Sequence, residues 1–261
     1  MTALQTDTHF LSVPGGQLFV KCWRPADTAD QPPLVLLHDS LGCVDLWREF
    51  PERLAEQLGR PVIAYDRLGF GRSSQRQGVP SSRFIDEEAR DYFPLIKQQL
   101  SLHTYTLLGH SVGGSMALHI AASDPDCQAV VTMSAQAFVE DLTLQGIREA
   151  QHGFAQPGQM ARLEKWHGDK AAWVLSAWTE TWLSEAFTDW SLAPVIGQVT
   201  CPVLAIHGDR DEYGSQAFPA FISTHTAGPA MMTIIENCGH VPHRETPEAV
   251  IDAVEAFLPS R

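Results

Sequence analysis

Ser111 is the residue of this chain whose setting most clearly favours chemistry. Glycines lie two positions before it and two positions after it, in Gly109-His110-Ser111-Val112-Gly113. An apolar run, 105–108, precedes this pentapeptide, and a run of helix-forming residues, 115–122, follows it. The pattern predicts a strand that turns sharply into a helix, with the serine at the apex and glycines where side chains would collide with neighbouring backbone. A serine in that position is a candidate nucleophile.

A serine hydroxyl ionises far above neutral pH, so Ser111 needs a histidine to accept its proton and an acid to orient that histidine. Two loops downstream offer these groups. The segment Gly208-Asp209-Arg210-Asp211 follows an apolar run, and His240 lies between the last apolar run and the last helical pattern. Open α/β sheets gather their active groups at the carboxyl edge of parallel strands. We therefore expect Ser111, one of the two aspartates and His240 to meet there.

An alternation of strand and helix patterns predicts the fold that would bring these loops together. Extended runs at 10–13 and 17–24 flank Pro14-Gly15-Gly16 and predict a β-hairpin. Near-continuous apolar runs, typical of strands buried on both faces, occupy 34–38, 62–66, 105–108, 129–133, 203–207 and 231–235. Helical patterns occupy 46–58, 84–100, 112–123 and 247–258. We predict an α/β fold with helices on both faces of a mostly parallel sheet.

Residues 137–193 interrupt this alternation. The segment has no convincing strand pattern and contains five of the seven tryptophans, Trp166, Trp173, Trp178, Trp182 and Trp190. We interpret it as a helical cap inserted into a core formed by residues 1–136 and 194–261. Most of these aromatic side chains are expected to pack helices together, and some to face a substrate cavity. The candidate pocket residues are His110, Trp178, Trp182 and Tyr213.

Charge and composition argue against several classes of function. The chain has 261 residues, with 31 acidic and 18 basic side chains and a formal net charge of −13. This surface repels nucleic acid and anionic membranes, so we expect a small-molecule substrate as the partner. The first residues lack a secretory pattern, and no apolar run has membrane-spanning length. Five scattered cysteines predict reduced thiols. We expect a cytoplasmic protein with no metal, nucleotide or other cofactor.

Four further segments extend the pattern around Ser111. His38-Asp39-Ser40-Leu41-Gly42 is similar to a His-Gly-x-x-Gly loop, and 66–73 is similar to an Asp-x-x-Gly-x-Gly-x-Ser turn. Residues 208–211 look like a Gly-x-x-Asp acid loop, and 239–248 look like a Gly-His segment followed by Glu-x-Pro. In this order along the chain, the motifs resemble the α/β-hydrolase superfamily. The resemblance implies a twisted sheet of about eight strands and a serine-nucleophile member with a small helical cap.

The resemblance also implies a role for particular residues. Ser111 would be the nucleophile, His240 the general base and then acid, and Asp211 the carboxylate that orients His240. The backbone N–H groups of Ser40 and Val112 would form the oxyanion hole, because this fold stabilises the developing negative charge with main-chain donors.

Five other polar residues of these loops have expected structural roles. Asp39 replaces the usual glycine of the oxyanion loop, which puts a negative charge near the oxyanion hole, and aspartate tolerates a left-handed backbone there. Asp209 is expected to form a turn by bonding its own backbone. His38 would brace the oxyanion loop, His110 would pack beneath the serine turn, and His243 would be a loop or pocket residue.

Hydrolysis of a small to medium carboxylic ester through an acyl-enzyme is the leading function that the resemblance implies. A carbon–carbon bond hydrolase of an aromatic-degradation type is the alternative. A cofactor-free dioxygenase is disfavoured, because 133–136 lacks an acid, and a slow-turnover binding or sensing protein is the third class. Residues 139–147 are similar to amino-acid ester hydrolases, but Val112 occupies the position where those enzymes have an acid.

Overall fold

The structure is a computed structural model that describes residues 4–26 and 31–258. Its strands are β1 (Leu4–Val13), β2 (Gly16–Pro25), β3 (Leu34–Leu37), β4 (Val62–Tyr65), β5 (Tyr105–His110), β6 (Cys127–Met133), β7 (Val203–Gly208) and β8 (Ala230–Ile235). Its α-helices are α1 (Phe50–Leu58), α2 (Phe84–Glu87), α3 (Phe93–Gln99), α4 (Val112–Ser123), α5 (Asp141–Phe154), α6 (Ala161–His167), α7 (Ala171–Trp182), α8 (Ala193–Ile196), α9 (Ala217–His225), α10 (Pro242–Glu245) and α11 (Pro247–Phe257).

The strands form one mostly parallel sheet, in the order β1-β2-β4-β3-β5-β6-β7-β8. β2 pairs antiparallel with both β1 and β4, and the remaining neighbours are parallel. Successive side chains of β3 enter opposite layers: Val35 and Leu37 pack in one apolar cluster, and Leu34 and Leu36 in the other. Because strand side chains alternate between faces, both faces of the sheet are covered. The predicted fold class is confirmed.

Two predicted helices are interrupted in the structure. The helix predicted at 46–58 begins only at Phe50, after a 3-10 turn over Val44–Trp47, and Pro51 lies in its first turn. The helix predicted at 84–100 is divided by a π-helical turn, Glu88–Tyr92, just before Pro94. Proline has no N–H to donate to the preceding turn and collides with the carbonyl four residues earlier, so a regular α-helix does not run through this position.

The last strand departs from the prediction of strands buried on both faces. Met231 and Met232 of β8 are 57% and 47% exposed. β8 is the last strand in the sheet order, so it has a strand neighbour only at β7 within the described residues. An apolar run in the sequence therefore does not distinguish a central strand from an edge strand.

Residues 137–193, all of them described, lie between β6 and β7 and contain α5, α6 and α7. An isolated antiparallel bridge joins Phe138 to Ser191. Next to it, the N–H of Leu192 donates to the carbonyl of Ala137 at 2.7 Å. The segment therefore leaves and re-enters the sheet layer at one place. The boundaries of the predicted cap and core stay a prediction, and the ends of the core, 1–3 and 259–261, lie outside the described residues.

No helix within the described ranges is both long enough and apolar enough to cross a membrane.

The turn after β4 holds the start of the chain's first helical region in place. Oδ1 of Asp66 accepts a hydrogen bond from the N–H of Val44 at 2.6 Å, and Oδ2 accepts one from the N–H of Arg72 at 2.7 Å. Gly71 has φ 46°, and a Cβ at this position would overlap the Asp66 carboxyl group. The glycine is thus required both by its backbone conformation and by close packing.

We expect Gly71→Ala to destabilise the protein by at least about 3 kcal/mol, because it adds a steric collision to an unfavourable backbone conformation. Gly78→Ala is the matched control. Gly78 has φ 71° and no atom within 4 Å of an added Cβ, so only the backbone cost of about 1 kcal/mol remains. The measurement is the free energy of unfolding in urea, and equal losses for the two variants would contradict the packing argument.

Candidate active site

Ser111 lies at the junction of β5 and α4, with φ 55° and ψ −128°. Its N–H donates to the carbonyl of Met133 at 2.8 Å, which ties the turn to the neighbouring strand β6. A Cβ on Gly113 would overlap the carbonyl of Leu37, and a Cβ on Gly109 would overlap the carbonyl of Gly113. The two glycines therefore let strand, turn and helix approach closely enough to hold the serine in a strained backbone conformation.

His240 and Asp211 lie beside this serine. Nε2 of His240 is 3.0 Å from Oγ of Ser111. Nδ1 of His240 is 2.8 Å from Oδ1 of Asp211 and 2.9 Å from Oδ2. All three residues are buried. The structure thus brings together the serine, histidine and aspartate that the motifs had predicted, across 129 and 29 positions of the chain.

The pairing of His240 with Asp211 changes the acidity of both groups. Burial disfavours the charged form of Asp211, but the hydrogen bond and the charge of His240 outweigh it and lower the pKa of the carboxyl group. Burial also disfavours protonation of His240, but the hydrogen bond and the charge of Asp211 outweigh it and raise the pKa of the imidazole above its usual value. An imidazole with a raised pKa is a stronger proton acceptor for the serine hydroxyl.

Further hydrogen bonds orient Asp211 and its loop. Oδ1 of Asp211 accepts from the N–H of Tyr213 at 2.8 Å. Asp209 does not bond its own turn as predicted, because its Oδ1 accepts from the N–H of Cys238 at 3.2 Å. Cys238 lies two residues before His240, so Asp209 joins the acid loop to the histidine loop. Sequence proximity alone favoured a local bond, and the adjacent β7 and β8 bring the second loop closer.

The oxyanion loop keeps its shape by a route that the sequence did not indicate. Asp39 is absent from the described residues that have a positive φ, so a left-handed backbone is not used there. Instead, Oδ1 of Asp39 accepts from the N–H of Leu41 at 2.8 Å, and Oδ2 lies 3.3 Å from Nδ1 of His110. Burial disfavours ionisation of Asp39, but the contacts with His110 and the N–H of Leu41 outweigh it, so its pKa is well below the usual range. The aspartate is a charged brace of the loop.

His38 braces the same loop, in agreement with its expected role. Its Nδ1 donates to the carbonyl of Asp39 at 2.8 Å, and its Nε2 accepts from the N–H of Arg67 at 3.1 Å. Burial and the nearby Arg67 charge lower the pKa of His38, so the imidazole is neutral. The N–H groups of Ser40 and Val112 donate no hydrogen bond to other described residues. They are therefore free to serve as the predicted oxyanion donors.

A cavity of about 90 Å³ lies between Ser111 and the helices of residues 137–193. It is lined by Trp178, Trp182, Tyr213, Gln136, Thr143 and Ile147, together with parts of the oxyanion loop. Three of the four candidate pocket residues therefore face this cavity. The fourth, His110, does not, because its Nε2 donates to the carbonyl of His240 at 2.7 Å beneath the serine turn. The residue before the serine points away from the apex, so its side chain supports the histidine loop.

Two polar contacts hold the start of α5 against the acid loop. The carboxylate of Glu140 accepts from the N–H of Ser215 at 2.6 Å and from its hydroxyl at 2.9 Å. The hydroxyl of Thr143 donates to the carbonyl of Tyr213 at 2.7 Å. Asp141 is exposed at the first position of the helix. Glu140 thus ties the start of α5 to the acid loop, and neither Glu140 nor Asp141 lines the cavity that contains Ser111.

The family profile of the alpha/beta hydrolase fold matches residues 32–157, which include the oxyanion loop and the serine turn. With the sheet order and the serine turn described above, this match over just under half of the chain shows the alpha/beta hydrolase fold and supports the α/β-hydrolase superfamily.

Individual relatives differ in how much of this α/β hydrolase they match. The proline iminopeptidase of Lactobacillus delbrueckii subsp. lactis is 33% identical over 106 residues, which are 41% of this chain and only 36% of that relative. The proline iminopeptidase of Lactobacillus crispatus is 23% identical over 269 residues, covering 88% of this chain and 91% of that protein. Among solved structures, 2-hydroxy-6-oxo-6-phenylhexa-2,4-dienoate hydrolase from Rhodococcus sp. strain RHA1 has a TM-score of 0.76 and 17% identity, covering 98% of this chain and 99% of that chain. This last likeness is one of fold alone.

Gln136 is a residue of this α/β hydrolase whose contact with the serine sequence reasoning missed. Its Nε2 lies 3.1 Å from Oγ of Ser111, and its Oε1 lies 3.3 Å from the same oxygen. The side chain is buried and lines the cavity. It lies in the segment after β6, which has no acid at 133–136, and an amide carries no motif of its own. The side chain is placed to fix the serine hydroxyl next to His240.

We expect replacement of Asp211 to move the pH dependence of activity. As a base, His240 must be neutral, so kcat/KM of the wild type should fall at low pH with an apparent pKa above that of a free histidine. In Asp211→Asn, burial still lowers the pKa of His240 but no carboxylate raises it, so the fall of kcat/KM at low pH (the acid limb) should move to lower pH. The kcat at neutral pH should also fall by roughly 10⁴-fold. Asp209→Asn is the control and should keep the position of the limb. An unchanged limb in Asp211→Asn would refute the pairing.

We expect two substitutions of Gln136 to slow the reaction of Ser111 by different factors. Gln136→Leu removes the contacts with the serine hydroxyl and should slow reaction with a fluorophosphonate by about tenfold. Gln136→Glu puts a negative charge beside Oγ of Ser111, in a site where negative charge develops during the attack, and should slow it by about a hundredfold. The measurement is the second-order rate constant of labelling, which does not depend on knowing the substrate. Wild-type rates in both variants would show that the amide has no such role.

Proposed function

We propose that this protein is a serine hydrolase that cleaves a small to medium carboxylic ester through an acyl-enzyme intermediate. The observation that carries the proposal is the 3.0 Å contact between Oγ of Ser111 and Nε2 of His240, whose other nitrogen faces Asp211. A hydroxyl in contact with an oriented imidazole of raised pKa is the arrangement that nucleophilic catalysis requires.

The chemical steps follow from these positions. His240 takes the hydroxyl proton as Ser111 attacks the ester carbonyl, and the carbonyl oxygen becomes an oxyanion that the N–H groups of Ser40 and Val112 stabilise. The tetrahedral intermediate collapses as protonated His240 gives its proton to the leaving alcohol. Water then enters, loses a proton to His240 and attacks the acyl group. Breakdown of the second intermediate returns the proton to Ser111 and releases the acid.

The cavity supports a short acyl group. Its volume is about 90 Å³, whereas sites for drug-sized ligands typically have volumes of roughly 300–1,000 Å³. Ile147, Trp178 and Trp182 supply most of its apolar wall. A few methylene groups would fill the space and gain about 0.8 kcal/mol each from burial. Longer acyl chains would require the cap segment to move.

Release of an N-terminal residue from a peptide is a second candidate, because two relatives are proline iminopeptidases. Such an activity needs a carboxylate that pairs with the free ammonium group of the substrate. Among the residues that line the cavity, Asp39 supplies the carboxylate. The Asp39 carboxylate already accepts a hydrogen bond from the N–H of Leu41 and lies next to His110, so less of its charge is available to a substrate ammonium group. The ester therefore has the better fit, and carbon–carbon bond cleavage stays a prediction of the sequence resemblance.

We expect the purified protein to release nitrophenol from 4-nitrophenyl acetate and to be labelled by a fluorophosphonate, and Ser111→Ala to lose both reactions by at least about 10⁴-fold. Ser115→Ala is a matched control one helical turn away, since the Ser115 hydroxyl donates to the carbonyl of Gln136 rather than to His240. It should retain labelling. A folded protein that neither hydrolyses the ester nor reacts with the probe would refute the proposal. Faster turnover of prolyl 4-nitroanilide, or of a vinylogous diketone acid, would assign the site to the corresponding alternative.

A further inference from the structure

A second cavity, of about 210 Å³, adjoins the one that contains Ser111. The two share Asp39, Leu41 and His240 as a common wall. The second cavity is bounded by α6 of the cap segment, by the 3-10 turn at 44–47 and by the loop after His240. Neither Ser111 nor Gln136 lines it. It therefore adjoins the cavity that contains Ser111 without including the serine itself.

Two arginines give this cavity a positive rim. Arg162 of α6 and Arg244 of α10 both line it and are exposed. Neither forms an ion pair within the described part of the chain, although acidic side chains outnumber basic ones in the sequence. Asp39 is the acidic residue among those that line the cavity. Two guanidinium groups against one carboxylate give the lining an excess of positive charge, which suits an anionic ligand.

A buried polar group also faces the same space. His243 lines the cavity and is 5% exposed, and its Nδ1 has no hydrogen-bond partner in the described residues. Its ring packs against Trp47, with the ring centres 4.6 Å apart, so the imidazole is held in place. Burial lowers its pKa well below the usual value, so the ring is neutral. A buried nitrogen without a partner is expected to bond to water or to a ligand.

The shared wall relates this cavity to one part of the substrate. His240 gives its proton to the leaving oxygen beside Ser111, and the second cavity, which shares Asp39, Leu41 and His240 with the first, is the adjoining space into which the rest of the leaving group can extend. The acyl group stays on Ser111 in the first cavity. We infer that the second cavity binds the leaving alcohol or phenol of the ester, and that Arg162 and Arg244 bind a carboxylate carried by it. This inference rests on the proposed function and names its substrate class: esters whose leaving group bears a carboxylate.

Guanidinium groups suit this ligand because their N–H groups match the two oxygens of a carboxylate. Trp47 and Trp166 supply flat apolar walls on which an aromatic or short aliphatic spacer can pack. The guanidinium of the neighbouring Arg48 lies 4.5 Å from the ring centre of Trp166 and fixes that wall. The cavity thus combines an apolar body with a cationic rim.

The test compares two esters with the same acyl group, 3-acetoxybenzoate and its neutral methyl ester. The wild type should have the higher kcat/KM for the carboxylate. Arg162→Gln and Arg244→Gln should each reduce this preference by about fivefold, and the double variant by more than about tenfold. Arg148→Gln, an exposed arginine of α5 outside both cavities, is the control and should keep the wild-type preference. Hydrolysis of both esters without a preference, or with one that the arginine variants leave intact, would overturn the inference and leave the proposed function standing.

A second test measures the binding of the two phenols to Ser111→Ala, and it does not depend on turnover. Calorimetry should show that 3-hydroxybenzoate binds more tightly than its methyl ester, and that the double arginine variant loses the difference. Equal binding of the two phenols would overturn the inference even if the enzyme hydrolyses esters. Conversely, carboxylate-selective binding by a wild-type protein that no fluorophosphonate labels would show an anion site at the two arginines but would refute the proposed hydrolysis, and with it the assignment of the cavity to a leaving group.

Discussion

The strained backbone of Ser111 is the constraint on which the rest of the site depends. A non-glycine residue with φ 55° costs about 1–3 kcal/mol, so the fold must hold it from several sides. β6 does so through the bond from the N–H of Ser111 to the carbonyl of Met133, and β3 does so by packing directly against Gly113. The strain places the hydroxyl above the carboxyl edge of the sheet, where the loops after β7 and β8 can reach it.

The proposed mechanism also requires that one imidazole among several acts as the base. His38, His207 and His243 are also buried near the site, and burial lowers the pKa of each. His207 lies 3.6 Å from Oδ2 of Asp211, but its Nε2 donates to the carbonyl of Gly214 instead. His240 alone of these four has both the close contact with Asp211 and a raised pKa. Distance to a single carboxylate, rather than residue type, distinguishes His240 from the other three imidazoles.

His240 lines two cavities of different character. The one that contains Ser111 is small and mostly apolar, whereas the other is larger and has a cationic rim. Asp39 stands on the wall between them, held by Leu41 and facing His110. The replacement of the family's usual glycine by aspartate thus has a structural reason, because its carboxylate supports the oxyanion loop and joins it to the serine turn.

The order of strand and helix patterns and the position of each motif were sufficient to predict the fold, the serine turn and the three loops that carry Ser111, Asp211 and His240. These features depend on local periodicity and on turn chemistry, which the sequence displays directly. The partners of Asp209 and the path of the Asp39 backbone depend on segments far apart in the chain, and local reasoning assigned both incorrectly.

The contact of Gln136 with Ser111, the place of His110 beneath the turn and the existence of a second cavity were likewise decided by tertiary structure. A residue's neighbours across 25 or 130 positions follow from how strands pack in the sheet, and amide or imidazole side chains carry no pattern that records those neighbours. The sequence by itself determined which groups could react. Only the packing of β3, β5, β6, β7 and β8 decided which of them meet, because hydrogen bonds act over a few ångströms in space whatever the separation along the chain.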